Sequence, residues 1–408
     1  MKKLLTVLSL VVLFYTQGFS QTEPDTLVST VNFVADEDSL MEQSDSTKVA
    51  LNLDIPDSVY MQRLSALPFQ FKLTYNPMVK RYIELYTVKI KDKLEVILGL
   101  SDFYFPIFDN VLNACQLPNE LKYITIIESA LNPSAVSRTR AVGLWQFMKG
   151  TGKENGLLIN NIVDQRRGFT ESTKAAAKFL TTLYNIYGDW QLVLAAYNCG
   201  PGNVNKAIRR SGGKRTFWEI YKYLPRETRG YVPEYIGAVY AFNYYKEHNI
   251  SPVPFSYSLQ TDTITIFKQL HFGQVSEVLG IPIEDLRRIN PQYLKDMIPA
   301  NNRTPYMLRV SPEQKAKFRE MQDSIYGYRA SFYEKEFLKK ELVQRHRVMV
   351  PADNTGKVIH SVRSGESIWI IAGQYNVSVA KIKDWNNISL NKIKPGQKLI
   401  VYMPKKVI

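Results

Sequence analysis

The sequence predicts an α+β multidomain protein, a mainly α-helical body followed by small βααβ modules. Three observations point there. Apolar residues recur at three-and-four spacing from about Tyr60 to His248, β-branched composition begins only after the Ser251-Pro252-Val253-Pro254 break, and residues 357–403 read as strand, helix, helix, strand. A chain of 408 residues with 45% hydrophobic and 22% charged side chains has material for two to four folding units. That composition excludes a mainly disordered, collagen-like or many-span membrane chain.

From the N-terminus, Met1-Lys2-Lys3 is a short basic head, and Leu4 to Tyr15 is an apolar run too short to span a bilayer. With Gly18 and Ser20 at minus three and minus one to a cut before Gln21, residues 1–20 read as a signal peptide. No cysteine precedes Cys115 and no later apolar stretch of about 20 residues occurs, so the expectation is an exported protein, periplasmic or cell-wall associated, with no lipid anchor and no membrane span after cleavage. Residues 21–58 read as an acidic disordered leader: up to Asp57 they hold nine acidic side chains against Lys48 alone. The net charge of +14 thus hides +2 in residues 1–20, a leader of −8 and a body, from Val59 on, of +20.

The body, residues 59–250, is punctuated like a set of helices. Leu117-Pro118-Asn119-Glu120 opens one that carries Leu121, Ile124, Ile126 and Ile127 and stops at Asn132-Pro133. Glu171 to Tyr187 makes a second, stopped by Gly188-Asp189, and Gln191 to Asn198 a third, ended by Cys199-Gly200-Pro201-Gly202. Thr263 to Phe267 then turns to strand-like composition. Residues 261–310 form a first small module, 311–350 a charged helical linker, and 357–403 the last module, whose core is too small for anything but a compact binding unit.

The chemistry lies between residues 120 and 240. Glu128 follows Ile124-Thr125-Ile126-Ile127 at a helix end, where apolar neighbours desolvate a carboxylate and raise its pKa, as a general acid requires. In order, the sequence presents Glu128-Ser129-Ala130-Leu131-Asn132-Pro133, Ala141-Val142-Gly143-Leu144-Trp145-Gln146-Phe147-Met148, Ala195-Ala196-Tyr197-Asn198-Cys199-Gly200-Pro201-Gly202 and Tyr231-Val232-Pro233-Glu234-Tyr235. Asp164-Gln165-Arg166-Arg167 and Tyr187-Gly188-Asp189-Trp190 lie between. Over roughly residues 100–245 these runs resemble the lytic murein transglycosylases of the membrane-bound D type, with their goose-type lysozyme-like fold.

That resemblance implies Glu128 as the single catalytic acid/base, Ser129 as its polar support, Gln146, Met148, Tyr197 and Asn198 along the glycan site, and Tyr231 near the carboxylate. It also implies that Gly143 lets backbone and sugar approach closely. Trp145 and Met148 read equally well as core. Gly168-Phe169 departs from the family's usual Asp-Pro after the double arginine, which puts the local turn in question. The implied reaction is non-hydrolytic cleavage between N-acetylmuramic acid and N-acetylglucosamine, with an anhydro sugar as product. One carboxylate suffices for this, where most glycosidases need two.

A second resemblance covers residues 357–403. Val358 to Val362, Ser364-Gly365-Glu366-Ser367-Ile368-Trp369, Tyr375-Asn376-Val377, Trp385-Asn386-Asn387 and Ile393-Lys394-Pro395-Gly396-Gln397-Lys398-Leu399 resemble a LysM module, which implies binding of N-acetylglucosamine-containing chains. Gly365 would make the turn after the first strand and Ser367 cap the next helix. Residues 263–310 resemble a decayed copy with Ile283 to Asn290 as second helix; it lacks the Gly-Glu-Ser turn, which leaves its sugar binding open.

Other classes fare worse. Positive charge alone, with no basic stripe, reading helix or zinc pattern, does not indicate a nucleic-acid partner. A cysteine peptidase needs a Cys-His pair, but Cys199 lies inside the Ala-Tyr-Asn run and His248 far along the chain. The four histidines His248, His271, His346 and His360 have no metal-ligand spacing, so neither metal nor cofactor is expected. A hydrolytic muramidase at the same site and a non-catalytic peptidoglycan-binding protein remain as alternatives, the intact Glu128-Ser129 pair speaking against the latter. Internal versus terminal cutting, a Cys115–Cys199 disulfide and the oligomeric state stay open.

Overall fold

The computed structural model describes residues 55–70, 72–254, 260–333, 335, 357–363, 366–375, 377–388 and 393–402. The stretch read as a signal peptide, most of that read as a leader, much of that read as a linker, and Ser364 and Gly365, read as a turn, lie outside these residues. The rest divides into two compact units, one up to Ile159 and again from Asp164 to residue 254, the other comprising Asn160–Val163 and the residues from Gln260 on. Among the described residues no helix is long and apolar enough to cross a membrane.

The first unit is helical: α1 (Asp57–Ala66), α2 (Pro77–Glu84) running into a π-helical turn (Leu85–Lys89), α3 (Lys91–Ala114), a 3-10 turn (Asn119–Tyr123) and α4 (Ile124–Ser129) come first. There follow α5 (Lys149–Glu154), α6 (Phe169–Tyr187), α7 (Trp190–Cys199), α8 (Pro201–Arg210), α9 (Phe217–Ile220) and α10 (Arg226–Asn243). Boundaries sit where local chemistry demands them. Asn76 accepts from the backbone N–H groups of Met78 and Val79 with Pro77 behind it, and Asp189 accepts from Leu192 N. Gly188, at φ +63°, closes α6, and Gly200, at φ +82°, separates α7 from α8.

At the Gly168-Phe169 departure, Gly168 stands at the N-cap of α6 and Phe169 is buried edge-on against Phe103 and Tyr104 of α3. Helix α10 packs against α2, α4, α7 and the π-helical turn. Gly237 permits the first of these, since a Cβ there would lie 2.6 Å from Tyr82 Cβ and 2.9 Å from its carbonyl carbon. This close seat sets how α10 presents its other side chains.

In the second unit, β1 (Asp262–Ile266) pairs antiparallel with β4 (Tyr306–Val310), Ile264 opposite Leu308. Between them lie β2 (Leu270–His271), α11 (Phe272–Leu279), α12 (Ile283–Ile289) and β3 (Met297–Ile298), and β2 pairs with β3. The stretch read as a charged linker opens with α13 (Pro312–Glu320) and α14 (Gln322–Gly327). Both belong to the preceding module. Phe318 and Ile325 are buried in the core with Ile266, Phe272 and Leu308, and Gln274 Nε2 reaches the carbonyl of Ile325 at 3.1 Å. The charged positions are the solvated faces of two short amphipathic helices.

The last module is β5 (Lys357–Ser361), α15 (Ile368–Tyr375), α16 (Val379–Asn386) and β6 (Lys398–Tyr402), the βααβ order its pattern predicts. β5 and β6 pair antiparallel over a core of Val358, Ile368, Ile371, Ile382, Leu399 and Val401. Ser367 Oγ accepts from Ile370 N at 3.4 Å, the expected cap. Both modules share one device. Asn290 and Asn386, each at the end of a second helix, hold the closing strand by both amide atoms: Asn290 accepts from Arg309 N and donates to its carbonyl, and Asn386 does the same with Ile400.

Candidate active site

The short helix α4 ends abruptly. Ala130 and Leu131 both take left-handed backbone angles, φ +51° and +62°, although neither is glycine, and Ala130 N still bonds to Ile126 O. Such residues cost of order 1–3 kcal/mol each and survive only where packing over-determines them. Their effect is to leave Glu128 in the last turn, backed by fully buried Ile124 and Ile126.

Glu128 is partly exposed as a residue, but its carboxyl is desolvated by protein, which pushes its pKa up to about 7. The opposing influence is a hydrogen bond: Tyr231 of α10, itself buried, donates its hydroxyl to Glu128 Oε1 at 2.6 Å. Burial, reinforced by the negative charge of Glu128, holds the Tyr231 phenol well above its ordinary pKa, so it stays a donor. Tyr197 of α7 is also raised by burial and then by Glu128, and donates to Trp145 O at 2.7 Å.

Residues 141–147 fold into a tight hairpin, with Val142 and Phe147 exchanging backbone bonds and Gln146 N closing on Gly143 O. Ser129 Oγ lies 2.9 Å from Leu144 O and 3.0 Å from Thr125 O, so it ties the hairpin to α4 and supports Glu128 through the backbone. Gly143, at φ +88°, permits a close approach of two backbone segments. A Cβ would sit 1.9 Å from the carbonyl oxygen of Arg166, so its neighbour is protein backbone. Gln146, at φ +45°, turns its amide back, Nε2 donating to Gly143 O at 2.8 Å. Trp145 is core, wholly buried with its indole N–H on Thr173 Oγ1, whereas Met148 is 46% exposed. Asn198 is exposed and accepts from Thr228 Oγ1 at 2.8 Å.

Behind the hairpin, buried Asp164 and Arg166 form a two-pronged ion pair, with Nε–Oδ1 at 2.9 Å and Nη2–Oδ2 at 2.6 Å. Arg166 Nη1 donates to Phe147 O at 3.1 Å, a second tie on the hairpin beside that of Ser129. Structure therefore brings Glu128, Ser129, Gly143, Gln146, Tyr197 and Tyr231 together through backbone and side-chain bonds.

With this arrangement in view, comparison with known families is decisive. Residues 107–219 match the family model described as the Transglycosylase SLT domain. This stretch is an SLT domain. Residues 260–327 match "Lytic transglycosylase MltD, LysM-like domain" and residues 360–401 match "LysM domain", the former reaching through α13 and α14. The chain is 30% identical over 292 residues to the membrane-bound lytic murein transglycosylase D of Escherichia coli K12, which covers 70% of this chain and 60% of that one. It therefore spans 60% of the length of that relative. A shorter match, 52% over 42 residues, is to an N-acetylmuramoyl-L-alanine amidase of Staphylococcus saprophyticus, covering 10% of this chain and 13% of that one. Among solved structures, the 70-kDa soluble lytic transglycosylase of Escherichia coli is 27% identical with a TM-score of 0.31, covering 35% of this chain and 24% of that one.

Tyr231 on α10 lies beyond the matched residues, in the same compact unit. The same unit holds a carboxyl that the reading of single motifs passed over. Glu234, three residues past Tyr231, is pushed up to about 8 by burial and then by the charge of Glu128, with the Tyr86 phenol pulling the other way. Its signal was in the Tyr231-Val232-Pro233-Glu234 run: i and i+3 positions on a helix share a face. Cys115 and Cys199 are both unpaired thiols, Cys115 exposed. Among the described residues no group of three His, Cys, Asp or Glu side chains could hold a metal ion.

Proposed function

We propose that this protein is a peptidoglycan lytic transglycosylase of the cell envelope, in which Glu128 acts first as acid and then as base. The observation that carries the reading is a desolvated carboxyl poised at about 7 beside a buried tyrosine donor, inside an SLT domain. Such a group holds a proton at neutral pH and can still release it. Glu128 protonates the glycosidic oxygen between N-acetylmuramic acid and N-acetylglucosamine, and the bond to C1 of the muramyl ring breaks. The substrate's own acetamido group assists the positive centre. Tyr231 steadies the new carboxylate, which then takes the proton of the muramyl 6-hydroxyl as that oxygen attacks C1 of its own ring. The product is a 1,6-anhydromuramic end and no water is consumed. The intramolecular attack supplies its own effective concentration.

Hydrolysis by two carboxylates would need a second group ionised at neutral pH. Glu234, held near 8, is protonated there and is no such base. Gln146, Met148, Tyr197 and Asn198 are the residues we assign to the glycan, with Ser129 and Gly143 serving the frame beneath them. The LysM module supports retention on glycan strands, and the positive body of the chain adds a general attraction to an anionic wall polymer.

Mass spectrometry of digests of purified peptidoglycan tests this directly. Anhydromuramic ends are expected, and reducing muramic ends in their place would overturn the lyase reading. Glu128→Gln should lose activity by 10²-fold or more, on the order of what general acid–base catalysis supplies. Deleting residues 357–408 should weaken sedimentation with insoluble sacculi, and unchanged sedimentation would remove the binding role of that module.

A further inference from the structure

Helices α13 and α14 do more than close the core of the first small module. With the end of β1 they enclose a groove of about 570 Å³, within the size range of ligand sites. Its apolar lining is aromatic. Phe318 of α13 is buried and meets Tyr326 of α14 edge-on, ring centroids 6.4 Å apart, while Phe267, the residue after β1, is 53% exposed. The polar lining is Lys268, beside Phe267, and Gln322 and Asp323 at the start of α14. Among the described residues no helix follows β6, so the last module has no such second wall.

The two charges of this groove are not spent on each other. Lys268 Nζ lies 5.6 Å from the centre of the Tyr326 ring, a cation–π contact, and has no ion pair with a described residue. Asp323 has neither an ion pair nor a side-chain hydrogen bond among the described residues, and both side chains are exposed. A cation and an anion thus stand free on the two elements that flank one aromatic groove. A neutral sugar chain would leave both charges unanswered. A short peptide with a free carboxylate and a free ammonium answers both, and its amide groups and apolar atoms suit Gln322 and Phe267.

The geometry points to a peptide site: the groove between β1 and α14 takes the peptide arm of peptidoglycan, with Lys268 on a carboxylate, Asp323 on the side-chain ammonium and Phe267 against the apolar atoms. The inference rests on the reading of this chain as acting on peptidoglycan. It gives the first small module a ligand chemically different from a glycan strand. Ion pairs this exposed are individually weak, so binding is modest and falls as salt rises.

Isothermal titration calorimetry of the full-length protein at low salt tests it, with the N-acetylated peptide L-Ala-γ-D-Glu-L-Lys-D-Ala as probe. Binding is expected, and Lys268→Ala and Asp323→Asn should each weaken it by about 2- to 5-fold with Tm unchanged. Acetylating the lysine of the peptide should cost wild type as much as Asp323→Asn does and should cost that variant nothing further, which is the signature of a direct pair. Absence of binding would overturn the inference, as would equal affinity in wild type and both variants. Weakened binding of N-acetylglucosamine tetramer in these variants, with the peptide unaffected, would assign the groove to glycan and overturn it too. The peptide-acetylation arm uses wild type alone, so it decides even if a variant fails to fold. Reducing muramic ends in digests would sink the lyase reading without touching peptide affinity, whereas absent peptide binding beside anhydromuramic products would sink only the peptide site.

Discussion

Tyr231 and Glu128, 103 positions apart in the chain, meet in a 2.6 Å hydrogen bond from a phenol that burial keeps protonated to a carboxyl that burial keeps near 7. The bond works against desolvation, because it favours the charged form of the carboxyl. Removing it should therefore raise Glu128 further. In Tyr231→Phe the alkaline limb of cleavage should move to higher pH while the maximal rate falls, since the carboxylate formed in the first step loses its donor. A limb that stays put would separate Tyr231 from the proton chemistry.

Stability should carry the mark of the same burial. The folded value of Glu128, about 7, lies above its ordinary 4.5, so the folded state binds the proton more tightly than the unfolded one. That contribution is fully present below about 4.5 and is gone once the pH passes about 7, a loss of about 3 kcal/mol for a shift of this size. Urea unfolding of Glu128→Gln compared with wild type at pH 5 and pH 8 reads it: the variant should be the more stable at pH 8, and the gap should close at pH 5.

At Gly143, alanine would bring both a clash and a disfavoured backbone angle, with Cβ 1.9 Å from the Arg166 carbonyl at φ +88°. A loss of about 1–3 kcal/mol or more is expected, seen as a lowered Tm, together with reduced cleavage as the hairpin lifts from its support. An unchanged Tm would mean the contact is not maintained.

The buried Asp164–Arg166 pair should behave as a unit. Asp164→Ala leaves a buried guanidinium without its partner and should cost about 3–5 kcal/mol, whereas Asp164→Ala with Arg166→Met should recover part of that loss. A double-mutant cycle by urea unfolding measures the coupling, and strict additivity would contradict the clamp.

The paired asparagines offer a like-for-like comparison. Asn290→Ala and Asn386→Ala each strip the peptide N–H and C=O of a closing strand of their partner amide, so each should destabilise its own module by about 1–3 kcal/mol. Hydrogen exchange at Arg309 N and Ile400 N localises the effect. Protection retained in both variants would show that the strands close without the clamp.

Much of this was legible in residue order. The helix stops at Gly188-Asp189 and Gly200-Pro201 lie where the chain breaks its helices, because left-handed and capping geometry is a property of single residues. The βααβ pattern of the last module and the Ser367 cap were readable for the same reason. Residues 311–327 misled, since Phe318 and Ile325 are a sparse apolar stripe among charges and only packing reveals that they are core. At Gly143 the residue type was legible, but its packing against the Arg166 carbonyl, twenty-three positions on, was not.

By itself, the sequence determined the order of the modules and singled out Glu128 as the candidate carboxyl, with the residue types around it. Those follow from periodicity, capping and motif, which are local. Tertiary structure alone decided what surrounds Glu128. The strained end of α4, the seat of α10 on α2 through Gly237, and the hairpin held between Ser129 and Arg166 bring distant groups within hydrogen-bond range. Desolvation is a property of that enclosure, so the value near 7 could not be read along the chain.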